Sequence, residues 1–600
     1  MLTTNTEDNA ALAPERNKSI FVVSTGEDGE QLEPTEEETL KLRKVAGTVP
    51  KIAYILCSVE FAERASYYGC SQVFSNFIQF PLPAGGNGAG ATPRGTQETP
   101  GALGMGLQTS SALTLLFTFL AYTVPVFGGW VADVKLGRYK TICIGVFICG
   151  IAHIIMVFSA LPSVLQASRG AAPFIVSLIV LAFGAGMFKS NIAPTILDQY
   201  PHQRAYVSTL KSGEKVIVDP EVTVQRIMLT FYGLINVGAF FGLATTYAEK
   251  DVGYWLAYLL PGILYFMCPL VLFFGYKRTF KKPPQGSALT DVFKVIACAF
   301  KRNGFSKLGR KGYLDAARPS RLAAEGAIPP QGSEITWTDA FVEDVGRTLE
   351  ACQIFLFFPI YILNDGGIGN IQTSQGSAMI TNGAPNDLLS NFNPLTIIIA
   401  IPILNYGLYP LLRKYRIPFG RITRITFGFV LSAMSSVIGA ILQWRVYSTS
   451  PCGYYATGCD IGDGVSTISI WWQIPLYALG ALSECFCNVT AYELAYSRSP
   501  KNMKGLVMAL FLFTTAISSA IAEACTPALI DPYLVWPFVG TAIAGLVLAA
   551  IFYIMYRKLD NDTFIINPED NNEGGLSESP NSDDRRSTEK ATEKHIETVG

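Results

Sequence analysis

Lys51-Ile-Ala-Tyr-Ile-Leu-Cys-Ser-Val-Glu-Phe-Ala-Glu-Arg-Ala-Ser-Tyr-Tyr-Gly69 is an apolar run with Glu60, Glu63 and Arg64 set into its second half. Glu60, Glu63, Arg64 and Tyr67 stand at relative positions 0, 3, 4 and 7, which share one face of a helix, with Tyr68 beside them. Two carboxylates and a guanidinium cannot face lipid cheaply, so this face lines a cavity or a helix contact. Either glutamate can neutralise Arg64 and leave the other to hold a proton. Alternatively, the planar guanidinium takes a ligand carboxylate in a bidentate pair. Competition between these two uses is a route to coupling a proton to a bound molecule. A static ion network that only locks helices together is the other reading of the same spacing.

The rest of the chain gives that helix its setting. Half of the 600 residues are hydrophobic and 16% are charged, and the mean hydropathy is positive. Charges gather in short clusters, and the stretches between them run apolar for about 20 residues or more, the length needed to cross a bilayer. Hydropathy predicts twelve membrane-spanning helices, an all-α integral membrane protein of two six-helix bundles. The expected organisation is a disordered cytosolic N-terminus (1–46), a first bundle (47–276), a basic cytosolic linker (277–346), a second bundle (347–557) and a disordered cytosolic tail (558–600). Within the linker, Asp291 to Arg302 has an amphipathic pattern with a cationic end, suited to the inner leaflet or to a solvated loop. No secretory leader is recognisable at the start.

Basic residues orient the helices. Lys135, Arg138 and Lys140 fall in the second loop, Arg413, Lys414, Arg416 and Arg421 in the eighth, and Arg498, Lys501 and Lys504 in the tenth. Odd-numbered loops are poor in them, which places the even loops and both termini in the cytosol. A net charge of −1 leaves no basic field for nucleic acid. Cys452 and Cys459 flank a polar loop on the outer side, where a disulfide is permitted. Most other cysteines sit in apolar runs as small packing side chains. Three histidines, His153, His202 and His595, are scattered rather than clustered as metal ligands. The glycine-rich stretch 84–90 lacks the Lys-Ser/Thr ending of a phosphate-binding loop. The reading is therefore not of an enzyme, and no metal is expected.

Six helices, a basic loop and six more is the plan of a transporter whose halves rock about a midplane site. Intramembrane charges then discriminate among cargoes. Lys189 follows Gly184-Ala-Gly-Met-Phe in the fourth helix, deep enough to expect a carboxylate partner. Glu484 lies within the tenth helix, opposite in sign to Arg64 in the other half, and the pair suits a zwitterion better than a neutral solute. Glu493, nearer the cytosol, suits a gating ion pair or substrate contact.

Glu60-Phe-Ala-Glu-Arg-Ala-Ser-Tyr-Tyr-Gly69 resembles the Glu-x-x-Glu-Arg-Phe-x-Tyr-Tyr-Gly signature of the proton-dependent oligopeptide transporter (POT/PTR) family of the major facilitator superfamily. Further resemblances follow in the family's order: Gly128-Gly-Trp-Val-Ala-Asp-Val-Lys-Leu-Gly-Arg-Tyr-Lys-Thr141, Phe231-Tyr-Gly-Leu-Ile-Asn-Val-Gly238, Asn393-Pro394-Leu395, Gln473-Ile-Pro-Leu-Tyr477 and Tyr492-Glu-Leu-Ala-Tyr-Ser-Arg-Ser-Pro-Lys-Asn-Met-Lys504. Phe77-Ile-Gln-Phe-Pro-Leu-Pro83 and Asn364-Asp-Gly-Gly-Ile-Gly369 look like the fungal branch. The resemblance implies proton-coupled import of di- and tripeptides by alternating access, in the plasma membrane, by a functional monomer that needs no cofactor beyond protons.

Carried over by motif, Glu60, Glu63, Arg64 and Lys189 form the proton-coupling cluster. Arg64 and Lys189 attract the peptide carboxylate, Tyr67, Tyr68, Asn236 and Asn393 hold the backbone, and Glu484 receives the amino terminus. Asp365 takes the place of the family's acidic gate residue on the seventh helix, and Glu493 is a second gating candidate. Ala65, Gly233 and Ser483 depart from the family's Phe, Trp and Gly. Relatives with similar motifs carry nitrate or other solutes, and a nutrient receptor with little flux is the reading from a different class.

Overall fold

A computed structural model of the chain describes residues 21–23 and 34–560, except 203, 211, 285, 287, 306–311, 326–334, 416–418, 460, 463 and 501–502. The first half comprises α1 (Lys51–Ser71), α2 (Gly106–Val131), α3 (Arg138–Ser159), α4 (Ala171–Leu197), α5 (Val222–Asp251) and α6 (Tyr254–Gly275). The second comprises α7, the membrane part of the helical run Asp339–Ser377, then α8 (Asn386–Leu408), α9 (Arg421–Thr449), α10 (Ile474–Arg498), α11 (Lys504–Cys525) and α12 (Val535–Tyr556). Among the described residues ten helices are long and apolar enough to cross a membrane. The other two of spanning length, α1 and α10, are those whose apolar runs are broken by Glu60, Glu63 and Arg64 and by Glu484. Phe147, Ile154, Phe273, Phe274, Ile543 and Ile554 stand exposed around the bundle. An apolar belt of that extent belongs in hydrocarbon, and the protein is an integral membrane protein.

Glycine sets how closely the first-half helices approach. A Cβ on Gly184 of α4 would lie 2.8 Å from the Cys149 nitrogen and 2.9 Å from the Gly145 carbonyl oxygen of α3. A Cβ on Gly128 of α2 would lie 2.8 Å from the Met187 Cα of α4. These backbone-to-backbone seams bring α2, α3 and α4 together and fix the position of Lys189, one turn beyond Gly184 and Gly186.

The face carrying the linker adds a feature that hydropathy does not show. Strands β1 (Phe21–Val23), β2 (Lys44–Val45), β3 (Tyr206–Leu210) and β4 (Lys215–Val218) form one sheet in the order β1-β3-β4-β2. β3 and β4 are an antiparallel hairpin from the loop between α4 and α5, and β2 adds in parallel along β4. This corrects the expectation of disorder over 1–46 for residues 34–46. The acidic run there opens the helix Glu36–Lys41 with a capping box, in which the Thr35 hydroxyl accepts from the Glu38 N–H and Glu38 accepts from the Thr35 N–H. Lys215 to Glu38 at 2.6 Å, Arg43 to Glu214 at 3.2 Å and Lys44 to Asp219 at 3.1 Å pin the segment to the hairpin. Residues 1–20, 24–33 and 561–600, also expected to be disordered, lie outside the described residues.

The amphipathic stretch of the linker is the helix Ala288–Asn303. Its buried side chains Val292, Val295 and Ala299 pack on Val342 and Val345 of the helix Asp339–Ala351 and on Met503. Two amphipathic stripes therefore cover one another, and lipid is not the main partner of this helix.

The halves meet at the face opposite the linker. Asn76, in the short helix Phe74–Gln79 that follows α1, forms a reciprocal amide pair with Asn386, with donors at 2.7 and 3.0 Å. Gln79 donates to the Ser374 hydroxyl at 2.9 Å, Asn370 donates to the Ser110 hydroxyl at 2.8 Å, and the Thr381 N–H donates to Gln97 at 3.1 Å. Gln72 donates to the Asp387 carbonyl at 2.6 Å and to the Ser390 hydroxyl, and Lys250 donates to the Ala384 carbonyl at 2.9 Å. All of these inter-half bonds lie at the far face. In the loop between α9 and α10, Cys452 and Cys459 are joined, with Cα atoms 5.8 Å apart.

The glycine seam gives a direct check. Gly184→Ala is expected to lower the unfolding midpoint in detergent, because overpacking against backbone costs about 1–3 kcal/mol. Gly540→Ala, on α12 where an added Cβ meets nothing, is expected to leave the midpoint unchanged or raise it.

Candidate functional site

Glu60, Glu63 and Arg64 are each no more than 3% exposed. Arg64 Nε donates to Glu60 Oε1 at 2.8 Å, and Glu63 Oε2 lies 3.0 Å from the same nitrogen without the alignment of a hydrogen bond. The sequence left one glutamate free while the other neutralised the arginine; the folded chain puts both on one edge of the guanidinium. Arg64 Nη2 is left without a hydrogen-bond partner among the described residues, as is Glu60 Oε2. The half-buried ring of Tyr67 lies beside the guanidinium, with its centroid 5.6 Å from Cζ.

Helix α5 closes over this charged face because Gly238 has no side chain. A Cβ there would lie 3.0 Å from the Ala65 nitrogen and 3.2 Å from Arg64 Cβ. Ala65, a departure from the family's Phe, is fully buried in the same seam. Lys189 reaches the cluster from α4 through aromatic faces. Its Nζ stands 4.0 Å from the centroid of Tyr122 and 5.9 Å from that of Tyr67, and it forms no ion pair among the described residues. Lys189 thus makes a cation–π pair with Tyr122, which joins the site, while it stays within electrostatic reach of Glu63. Nothing in the spacing of α2 singles out Tyr122, since only the tertiary crossing brings it under Lys189.

The second half presents a carboxyl pole. Asn393, at the start of α8, donates to Glu484 Oε1 at 2.7 Å. Asp365 of α7 lies within electrostatic and hydrogen-bonding reach of Glu484. Gly480, one turn before Glu484 on α10, makes room for it: a Cβ there would sit 2.7 Å from Asp365 Oδ1. That oxygen is buried and has no hydrogen-bond partner among the described residues. Ser483, where the family has Gly, shares a 3.1 Å hydrogen bond with the Tyr361 hydroxyl and so ties α10 to α7 beside the pair.

The two poles share one space, for Glu484 acts electrostatically on Tyr122 and Tyr232 of the opposite half. Tyr67, Tyr68, Lys189, Asn236, Asn393, Asp365 and Glu484 are all half-buried, as side chains lining an enclosed site should be. Asn236 donates to the Tyr232 carbonyl at 2.8 Å on its own helix, which leaves its amide oxygen free to accept. At Gly233 an added Cβ meets nothing, so the volume of the family's Trp is open. The side chain of Glu493 lies outside the described residues.

A family model described as the POT family matches residues 139–540. The chain is 54% identical over 560 residues to the MFS-type transporter ucsM of an Acremonium species, which covers 93% of this chain and 92% of that one. It is 45% identical over 533 residues to the peptide transporter PTR2 of Candida albicans, over 88% and 85% of the two chains. It is 36% identical over 560 residues to the peptide transporter PTR2 of Saccharomyces cerevisiae, over 93% and 86%. Among solved structures, an auto-inhibited POT family peptide transporter superposes with a TM-score of 0.62 at 22% identity, over 85% of this chain and 97% of that one. PepTSo, another POT family transporter, also gives 0.62, at 20% identity over 86% and 99%. At those identities the structures speak for the fold, and the family match and the curated relatives speak for descent. The chain belongs to the POT family of transporters, as the match over residues 139–540 and the identity to these relatives show.

Proposed function

We propose that the protein is a proton-coupled symporter that imports di- and tripeptides by alternating access. The observation that carries this reading is the pair of opposite poles across one site: Arg64 and Lys189 in the first half, Glu484 with Asp365 in the second. A short peptide presents a carboxylate at one end and an ammonium at the other. Its carboxylate meets Lys189 and the unpartnered Nη2 of Arg64, and its ammonium meets Glu484. Asn236, Asn393, Tyr67 and Tyr68 supply hydrogen bonds to the backbone between. These groups read what all short peptides share, and the open volume at Gly233 relaxes side-chain demands. The names of the Candida and Saccharomyces relatives support a peptide cargo.

Charge balance supports proton coupling. Glu60, Glu63, Arg64 and Lys189 sum to zero, so an incoming carboxylate leaves the first-half site one charge short unless a glutamate takes up a proton. Protons are the only co-substrate this scheme needs. The basic residues of the linker face put that face in the cytosol, and the amide pairs then close the outer face of this state. Rocking the halves breaks those pairs and exposes the same poles to the outside. Because the path runs between halves of one chain, a monomer suffices. The plasma membrane is the host expected for a nutrient importer.

Uptake of a labelled dipeptide into proteoliposomes tests the reading. Wild type is expected to accumulate it only with an inward proton gradient. Glu63→Gln should lose that accumulation yet retain dipeptide exchange. If well-folded wild type takes up no dipeptide, the reading moves to another small solute or to a nutrient receptor with little flux.

Glu484→Gln separates the poles. Losing a charge-assisted contact costs about 1.5–3 kcal/mol, so dipeptide affinity is expected to fall by roughly 10–100-fold. An N-acetylated dipeptide, which lacks the ammonium, should bind wild type and variant alike. Orientation is checked on intact cells with a membrane-impermeant maleimide. Asn382→Cys, exposed at the far face, should label, and Lys301→Cys, exposed on the linker, should not.

A further inference from the structure

The far face holds a second carboxyl pair that the transport scheme above leaves unused. Glu249 ends α5 and is fully buried, and Asp387, at the start of α8 in the other half, is 2% exposed. Asp387 acts electrostatically on Glu249, and the two carboxyls lie within hydrogen-bonding reach of each other. Asn76 donates to Glu249 Oε1 at 3.1 Å, but Glu249 Oε2 and both carboxyl oxygens of Asp387 have no donor among the described residues. The cation beside them donates elsewhere, with Lys250 Nζ on the Ala384 carbonyl at 2.9 Å, but stays within electrostatic reach of both carboxyls. Gly253, at a φ of 126° that strains other residues, turns α5 directly into α6 and sets Tyr254, and behind it Tyr258, against Glu249. Tyr477 of α10 faces Asp387, Gln72 after α1 holds the Asp387 carbonyl, and Asp251 is exposed at the rim.

We infer that Glu249 and Asp387 form a proton-binding site, separate from the first-helix cluster, whose shared proton fastens the two halves together at the outer face. Two ionised carboxylates facing each other in a buried site repel, whereas one proton between them makes an O–H···O⁻ bond that supplies the missing donor. A pair holding one proton carries a single negative charge, which Lys250 balances. Each half contributes one oxygen acid, so the bond exists only when the outer face is closed. Opening separates the two carboxyls, water solvates both, and the proton leaves to the outside. By linkage, a proton that binds the closed state more tightly draws the equilibrium towards closure. The site adds to the proposed coupling scheme a requirement that the outside be proton-rich before the outer gate shuts.

The inference rests on the alternating-access reading, and its test needs neither cargo nor flux. Nitroxide labels are placed at Glu98 and Asn382, exposed on the far-face loops of opposite halves, through p-acetylphenylalanine so that native cysteines are untouched. Their distance distribution is then measured in nanodiscs from about pH 5 to about pH 9, a range that spans the titration of a coupled carboxyl pair. Wild type is expected to gain a long-distance population as pH rises. Glu249→Gln, a neutral isostere that supplies its own N–H to Asp387, is expected to lose that pH response and stay short. Asp387→Asn serves as the second variant and is expected to do the same. A pH response unchanged in both variants, or absent in wild type, overturns the inference. Abolition of the response by Glu63→Gln alone assigns it to the first-helix cluster and also overturns it. Dipeptide uptake failing while the pH response behaves as expected would leave this site standing and remove the peptide reading.

Discussion

The first half of this fold is arranged around a guanidinium almost wholly withdrawn from water. Arg64 sits midway along α1 and is 3% exposed, in an environment where an unpaired ion costs several kcal/mol. Glu60, one turn before it, and Glu63, its neighbour, bring the opposite charge on the same helix, so the guanidinium is neutralised locally, and the second carboxylate is balanced only when Lys189 arrives from α4. Helix α1 must nevertheless be shielded from lipid, and the neighbours that shield it are chosen for closeness: Gly238 on α5, Ala65 on α1 itself, and Tyr67 lying beside the guanidinium.

Paired carboxyl groups recur across the molecule with different partners, and the partners set what each pair can do. Glu60 and Glu63 share a cation. Glu484, which accepts from Asn393, and Asp365 beside it have no paired cation among the described residues, which suits them to receive an ammonium. Glu249 and Asp387 have one amide donor between them, a lysine that donates elsewhere, and a boundary between halves running through the middle. The first two pairs are each confined to one half, whereas the third spans both, so in the proposed alternating-access scheme only the third would be made and broken by a rocking motion. Neutral amide pairs such as Asn76 with Asn386 surround it, so the closed outer face is held by bonds of modest individual strength. A gate that opens repeatedly needs contacts of that kind.

Much of this was legible in the chain. Length and hydropathy gave the helices, because crossing a bilayer imposes about 20 apolar residues whatever the fold. The face that carries Glu60, Glu63, Arg64 and Tyr67 follows from helical periodicity alone, Glu484 stood out because charge within an apolar helix is expensive, and Asp365 came only from the family resemblance. Contacts within one helix, and residues that contradict their surroundings, are the features a sequence displays.

Partners across helices were decided by tertiary structure. Lys189 meets aromatic rings as well as the field of Glu63, because the glycine seam between α2 and α4 brings it to Tyr122. Glu249 lies beside Lys250 and Asp251 at a helix end, where charges read as solvated, and only the docking of the second half buries it. Glu36 to Glu38 read as a disordered acidic run until the hairpin of β3 and β4 offered Lys215 as a partner and β4 as an edge for β2. Periodicity and local charge thus determined which residues face inward. Which of them meet was settled by long-range packing, since the energy of a buried charge depends on neighbours hundreds of residues away.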